Sequence, residues 1–321
     1  MDLTPWLHLP FLDDTFPLPT GTPFTARTAA ENGVGPRDLA ALVGAGLLRH
    51  PIRNCYVPAQ LPDDIATRCE CLRLVVPPDA IVVDRHAGWL WGASMLLLPN
   101  EHLNVMPVTM DLPLGRGRLR NKLVDGGQRE LLPRDVTELH GLRLTTPLRT
   151  ALDLGRQRWP EPAITALDAL HGLDAFSLGE LLIEIDRFKG MRWVTTLRLV
   201  APHTDGRSQS GGESVIRWRW IQLPVPPPEP QVEVRSGPRL ALIDVGAAGI
   251  RAGVEFDGEE WHDNDVAREH DAARRSWLDR DEDWVIEPLV SVDVYGHHQR
   301  VEEAIFAVVA EAVRRTRRRP A

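Results

Sequence analysis

The polarity pattern of the chain changes twice. Beyond residue 230 the pattern changes to that of strands, predicted at Gln231–Val234, Leu240–Val245 and Ala252–Phe256. A helix from about Asp263 to Asp281 follows, carrying Val266, His270, Ala273 and Trp277 at helical spacing. The strand Trp284–Ile286 and a final helix from about Val301 to Arg315 complete this part. The first 75 residues read differently. Thr25–Glu31 is a short helix closed by Asn32-Gly33, and Pro36 starts a second, Arg37–Val43, ending at Gly44-Ala45-Gly46. Leu47–His50 and Cys55–Val57 then predict two strands around a turn over Pro51–Asn54, so this stretch has the layout of a winged helix-turn-helix. Between the two lie strands at Ala80–Val83 and His102–Pro107. Helices follow at Thr146–Leu154 (Thr146 as N-cap), Pro162–Leu170 and Ser177–Phe188.

The polar, glycine-rich run Ala201–Gly212 reads as a linker and the proline-dominated Leu223–Pro230 as a second break. The expected organisation is therefore 1–75, a winged helix; 76–205, a middle α/β region; and 206–321, a mixed sheet flanked by helices. The fold class is α/β (α+β). With 43% apolar and 26% charged residues the composition is that of a soluble globular protein. No apolar run approaches the roughly 18–20 residues of a spanning helix, so no membrane partner is expected. Met1–Pro19 lacks the basic start of a signal peptide, which points to the cytoplasm. Cys55, Cys69 and Cys71 suit neither a disulfide framework nor a zinc site and are read as structural thiols. The net charge of −8 argues against indiscriminate coating of nucleic acid, while leaving room for a local basic surface. His86, His102, His140 and His171 are isolated and read as structural.

Chemistry concentrates at Asp244, Glu255 and Asp257. A turn centred near Gly249 sets Asp244 opposite Glu255, and directly opposed residues have Cβ atoms about 4.5–5.5 Å apart. Alternation then directs Ile243, Val245, Val254 and Phe256 to the core and the acids to the other face. Carboxylates so gathered repel, and either a divalent cation relieves them or they form a solvated acidic face. Oxygen ligands with open water positions suit Mg2+ or Mn2+, an ion that can polarise a phosphodiester. Asp244, Glu255 and Asp257 are the candidate metal ligands. His262 is a candidate for positioning water, and Arg274 and Arg275 either clamp a phosphate or pair with nearby acids. Glu213 either closes a capping box with Ser210 or reaches toward the metal.

S-x-x-E-S-x-x-R at Ser210–Arg217, I-D at 243–244, V-E-F-D-G-E-E-W-H at 254–262 and D-x-x-R-R at 271–275 resemble the very-short-patch-repair-like endonuclease domain. That domain belongs to the restriction-endonuclease-like PD-(D/E)XK superfamily. T-A-R-T-A-A-E-N-G-V through Tyr56-Val57, and L-T-T-P-L-R-T-A-L-D-L at Leu144–Leu154, resemble AbiEi-type antitoxins. The resemblance implies an aspartate, a second acid, then a lysine two positions on. Asp244 and Glu255 match the acids, and Asp257 stands where the lysine is usual. It further implies a metal-dependent DNA endonuclease, with Asp244, Glu255, Asp257, His262 and Glu213 as catalytic candidates. Arg37, Arg49, Arg53, Arg274 and Arg275 are the candidates for touching nucleic acid. The alternative is a non-catalytic, antitoxin-like regulator that binds DNA through the winged helix and pairs with a toxin.

Overall fold

The protein is described from a computed structural model covering residues 2–96, 107–112, 115, 120–121, 124–258 and 265–318, with side chains of 94, 120, 121 and 265–271 left aside. It is α/β, and the chain divides into two compact units, Met1–Leu154 and Gly155–Ala321.

The first unit opens with β1 (Phe24–Thr25), α1 (Ala26–Glu31), α2 (Pro36–Gly44), β2 (Leu48–Ile52) and β3 (Cys55–Pro58). Thr25 caps α1 by accepting from Thr28 N at 3.1 Å, and Pro36 begins α2, where its missing N–H costs nothing. The strands form an antiparallel sheet in the order β1-β3-β2. Next come α3 (Ile65–Arg73), β4 (Ile81–Val82), α4 (Asp84–Leu90), β5 (Val108–Asp111), β6 (Arg120–Asn121), β7 (Val124–Gly127), β8 (Val136–Leu139), β9 (Leu142–Thr145) and α5 (Pro147–Leu154). Their strands build a six-stranded mixed sheet, β6-β7-β5-β4-β9-β8. Residue 75 is not a boundary here. Ile52, Cys55 and Val57 share one apolar core with Cys69, Cys71, Leu72, Val82 and Leu144. The expected strand at His102–Pro107 falls almost wholly outside the described residues.

The L-T-T-P-L-R-T-A-L-D-L segment holds this unit together. Arg149, buried at 3% exposure, bonds Asp153 at 2.8 Å and Asp135 at 2.5 Å. Arg129 reaches Asp84, Asp153 and Asp111 at 2.7, 2.9 and 2.5 Å. Thr145 and Thr150 share a buried hydroxyl pair at 2.7 Å. Removing Arg149, Asp135 or Asp153 is costly, because the partner left behind is a buried charge.

The second unit begins with α6 (Pro160–His171), α7 (Leu178–Glu184), α8 (Val194–Val200) and α9 (Gly211–Ile221). The strands β10 (Glu229–Ser236), β11 (Arg239–Ala247) and β12 (Ala252–Asp257) follow, then α10 (Asp265–Arg280), β13 (Val285–Val290), α11 (Ser291–Tyr295) and α12 (Val301–Arg318). The sheet order is β10-β11-β12-β13, with the first two pairings antiparallel and β12-β13 parallel. A parallel pair needs a crossover, and α10 supplies it. Val245, Val254 and Leu289 share one core with Val215, Ile216, Trp220 and the apolar stripe of α12 (Val301, Ile305, Val308). Val232, Val234, Ala241 and Ile243 share a second core with Trp277 and Leu278 of α10.

Ala201–Gly212 is packed rather than a linker. Ala201, Thr204 and Ser208 are buried, and Asp205 N donates to Asp168 Oδ1 at 2.8 Å. A Cβ on Gly206 would stand 2.5 Å from Gly172 N, so only glycine permits this approach. The residues from 155 onward thus belong with the carboxy-terminal sheet.

Candidate active site on the carboxy-terminal sheet

The site forms where two strands part. The β11–β12 ladder runs Ala247↔Ala252, Gly246↔Gly253, Val245↔Val254, a register that would next pair Asp244 with Glu255. Instead Asp244 Oδ2 accepts from Phe256 N at 2.8 Å. On its other side, β10 pairs with β11 at Pro230↔Val245 and Val232↔Ile243 but not at Gln231, which takes a left-handed φ of +52°. This local irregularity changes the alternation expected for β11. Ile243 packs with Trp277, Leu278 and Trp284, whereas Val245 and Val254 pack with α9 and α12. Ile243, Val245 and Val254 therefore do not share one face. Strand irregularities of this kind re-aim side chains beside functional sites.

Glu255 is 3% exposed on a strand paired on both sides, which removes the reading of the trio as a solvated acidic face. Asp244 is half-buried, and Asp257 lies at the rim with its side chain 47% exposed. Burial pushes the Asp244 carboxyl from 3.8 up to about 6, aided by the charges of Glu213 and Asp257 and opposed by the Phe256 N–H and Arg274. Glu255 is likewise raised, first by burial and further by Asp244, against the pull of Arg274. The charge of Asp244 is thus felt at Glu255, one strand away.

Glu213 joins them from α9. Ser210 caps this helix, accepting from Glu213 N at 3.2 Å. The Glu213 carboxylate does not complete the box on Ser210 N. It accepts from Gln209 N and from Gln231 Nε2, each at 2.8 Å. Burial raises its pKa, and its charge is felt at Asp244. The first turn of α9 comes this close because residue 212 is glycine: a Cβ there would stand 2.5 Å from the Phe256 ring. That ring also meets Tyr295 edge-on, with centroids 6.4 Å apart.

Arg274 and Arg275 of α10 turn to the acids. Arg274 straddles Glu255, with Nη1 at 2.8 Å from Oε1 and Nη2 at 2.9 Å from Oε2. Arg275 Nη2 donates to Asp257 Oδ2 at 2.8 Å, and its Nε stands 3.4 Å from Glu255 Oε2. Of the two roles open to this pair, ion pairing is what the structure displays, and the partners are the site's own carboxylates. Arg217, the last residue of the S-x-x-E-S-x-x-R run, is buried elsewhere. Its Nη2 donates to both Asp168 carboxylate oxygens, at 2.8 and 2.9 Å, and its Nη1 to the His203 carbonyl at 2.7 Å.

Among the described residues no group of three or more His, Cys, Asp or Glu is placed to hold a metal ion. Two carboxylates nevertheless suffice for magnesium, which keeps several waters and takes further oxygens from phosphate. Asp244 and Glu255 are the two carboxylates that would supply it. Glu255 Oε1 is buried and lacks a well-directed hydrogen bond, although Arg274 Nη1 is near. His262 lies outside the described residues.

The other candidates are in the first unit. Arg37 is exposed on α2, and Arg53 is half-buried at the Asn54 turn between β2 and β3. Arg49 Nη2 donates to the Leu61 carbonyl at 2.7 Å, so its guanidinium braces the segment after β3. Gln231 was not anticipated. The signal was available: a turn centred on Gly237-Pro238 sets residue 231 opposite 244.

No family model matches the chain. It is 29% identical over 160 residues to two uncharacterized proteins of Mycobacterium tuberculosis, MT2308 and Rv2248, a match covering 50% of this chain and 59% of each relative. The chain thus spans about three fifths of the curated relatives it matches. Among solved structures, the RV2827C protein of Mycobacterium tuberculosis is similar at 14% identity and a TM-score of 0.30, over 60% of this chain and 75% of that one. No helix among the described residues is long and apolar enough to cross a membrane.

Proposed function

We propose that the carboxy-terminal sheet carries a Mg2+- or Mn2+-dependent endonuclease site acting on DNA, joined to an amino-terminal DNA-binding winged helix. The observation that carries this reading is the meeting of Asp244 and Glu255, both held above their ordinary carboxyl range, with two guanidinium groups of α10 beside them. The helix-flanked mixed sheet also supports the endonuclease resemblance.

Asp244 and Glu255 would hold the ion, which when bound polarises a phosphodiester oxygen. The protein's own residues do the rest. Phe256 N–H fixes the orientation of the Asp244 carboxylate. Arg274 and Arg275 offer planar donors matched to phosphate oxygens. Glu213, raised by burial and steadied by Gln231, is able to hold a proton beside Asp244. Asp257 at the rim orients Arg275 rather than standing in for the usual lysine.

In the first unit, α1, α2 and the β2–β3 hairpin support the winged-helix reading, with Arg37 and Arg53 facing nucleic acid. An antitoxin-like regulator with a toxin partner is the alternative built on that half. Purified protein incubated with single-stranded and duplex DNA and RNA, in Mg2+, Mn2+ or EDTA, separates the two. Metal-dependent cleavage lost in Asp244→Ala and Glu255→Ala supports the enzyme. Binding without cleavage, unchanged by those substitutions and weakened by Arg37→Ala and Arg53→Ala, overturns it in favour of the regulator.

A further inference from the structure

Glu255 is fixed on the central strand β12, whereas Arg274 reaches it from a helix on a long, partly exposed side chain. Both carboxylate oxygens of Glu255 face guanidinium nitrogens: Arg274 Nη1 and Nη2 at 2.8 and 2.9 Å, and Arg275 Nε at 3.4 Å. Arg274 Nη1 already donates a hydrogen bond to the Leu242 carbonyl at 3.3 Å, an acceptor that stays available when Glu255 is given up. The contact to Oε1 is close but poorly directed, because that oxygen lacks a hydrogen bond of its own. A divalent cation and this guanidinium compete for the same two oxygens.

We infer that Arg274 is an exchangeable counter-ion of Glu255, holding the cation-binding carboxylate until a divalent ion and a phosphodiester arrive together. This rests on the reading of the site as cation-dependent. Cation entry alone sets a double positive charge beside Arg274 and Arg275, which is costly at short range. A phosphate oxygen offers the displaced guanidinium a new anionic partner with matching fork geometry. Cation and phosphodiester therefore bind cooperatively, and by linkage each tightens the other by the same factor. Arg274 is in this sense a positioning residue for the cation and a contact for the substrate.

The test measures Mn2+ binding to the full chain from the electron paramagnetic resonance of the free ion. Mn2+ is used alone and then with a short, cleavage-resistant phosphorothioate DNA duplex. Wild type is expected to bind Mn2+ weakly alone and more tightly with the duplex. Arg274→Gln is expected to bind Mn2+ alone at least about tenfold more tightly, since one nearby positive charge is gone, and to gain little further from the duplex. Arg274→Lys keeps the charge but not the fork and falls between, and circular dichroism verifies the fold of each variant. Wild-type binding through Glu255 that Arg274→Gln leaves equal or weaker overturns the inference while the cation site stands. Absence of Mn2+ binding in both proteins, or binding by Arg274→Gln that survives Glu255→Gln, overturns the cation-site reading and the inference with it.

Discussion

Replacing Asp244 by asparagine should stabilise the metal-free protein at neutral pH. The amide oxygen keeps the hydrogen bond from Phe256 N, whereas the buried charge disappears. The folded carboxyl is raised from 3.8 to about 6, so the folded state binds the proton more tightly than the unfolded chain. Its contribution is full below about pH 4 and is lost as pH rises through 6. At about 1.4 kcal/mol for each tenfold change in acidity, ionised Asp244 costs roughly 3 kcal/mol above pH 6. Glu213 and Glu255, also raised, act in the same sense and steepen the fall. Some of the gain is offset, because the amide N–H groups need acceptors and the attraction to Arg274 is lost. A net gain of about 1–3 kcal/mol is expected at pH 7.5 and about half as much at pH 5. Urea unfolding in EDTA at both pH values measures it, a midpoint rise of about 1 M corresponding to this range. An Asp244→Asn midpoint at or below wild type at pH 7.5 refutes the reasoning.

Other predictions follow from the same unit and from the first. Asp168→Ala strands the buried Arg217 guanidinium and should cost about 3–5 kcal/mol, whereas the double change Asp168→Leu with Arg217→Met recovers much of it; urea midpoints decide. Gly212→Ala forces a methyl into the Phe256 ring and should destabilise by about 1–3 kcal/mol while weakening Mn2+ binding, read by melting and by titration. Arg37→Ala and Arg53→Ala should each weaken duplex binding similarly across sequences and lower the salt dependence by about one ion, measured by fluorescence anisotropy at several salt concentrations.

In the second unit β10 to β13, α6, α7, α10 and α12 were legible from strand and helix patterning, whereas α8 and α11 were not. The register that brings Asp244 to Glu255 was legible too, from the length of one turn. The change of packing between Ile243 and Val245 was not. It depends on Gln231 adopting a left-handed backbone, and no local propensity announces that. The run Ala201–Gly212 looked like a linker because glycine and polar residues usually mark mobile chain, yet here Gly206 is small so that Gly172 can touch it. α3 and α4 were missed because Cys69, Cys71, His86 and Gly88 interrupt any clean apolar stripe, and their burial comes from tertiary contacts. Glu287 pairs with Arg300 at 2.9 Å, a partner beyond the reach of spacing arguments.

The most direct measurement is single-turnover cleavage of end-labelled DNA duplex in Mn2+ by wild type, Asp244→Asn and Glu255→Gln, with the unfolding midpoint of each protein recorded alongside. Cleavage by wild type that vanishes in EDTA, and in an Asp244→Asn protein that is folded and more stable than its parent, is the predicted result. Cleavage that persists in either variant, or a well-folded wild type that binds duplex and never cuts it in Mn2+ or Mg2+, would contradict the assignment of Asp244 and Glu255 as a catalytic pair.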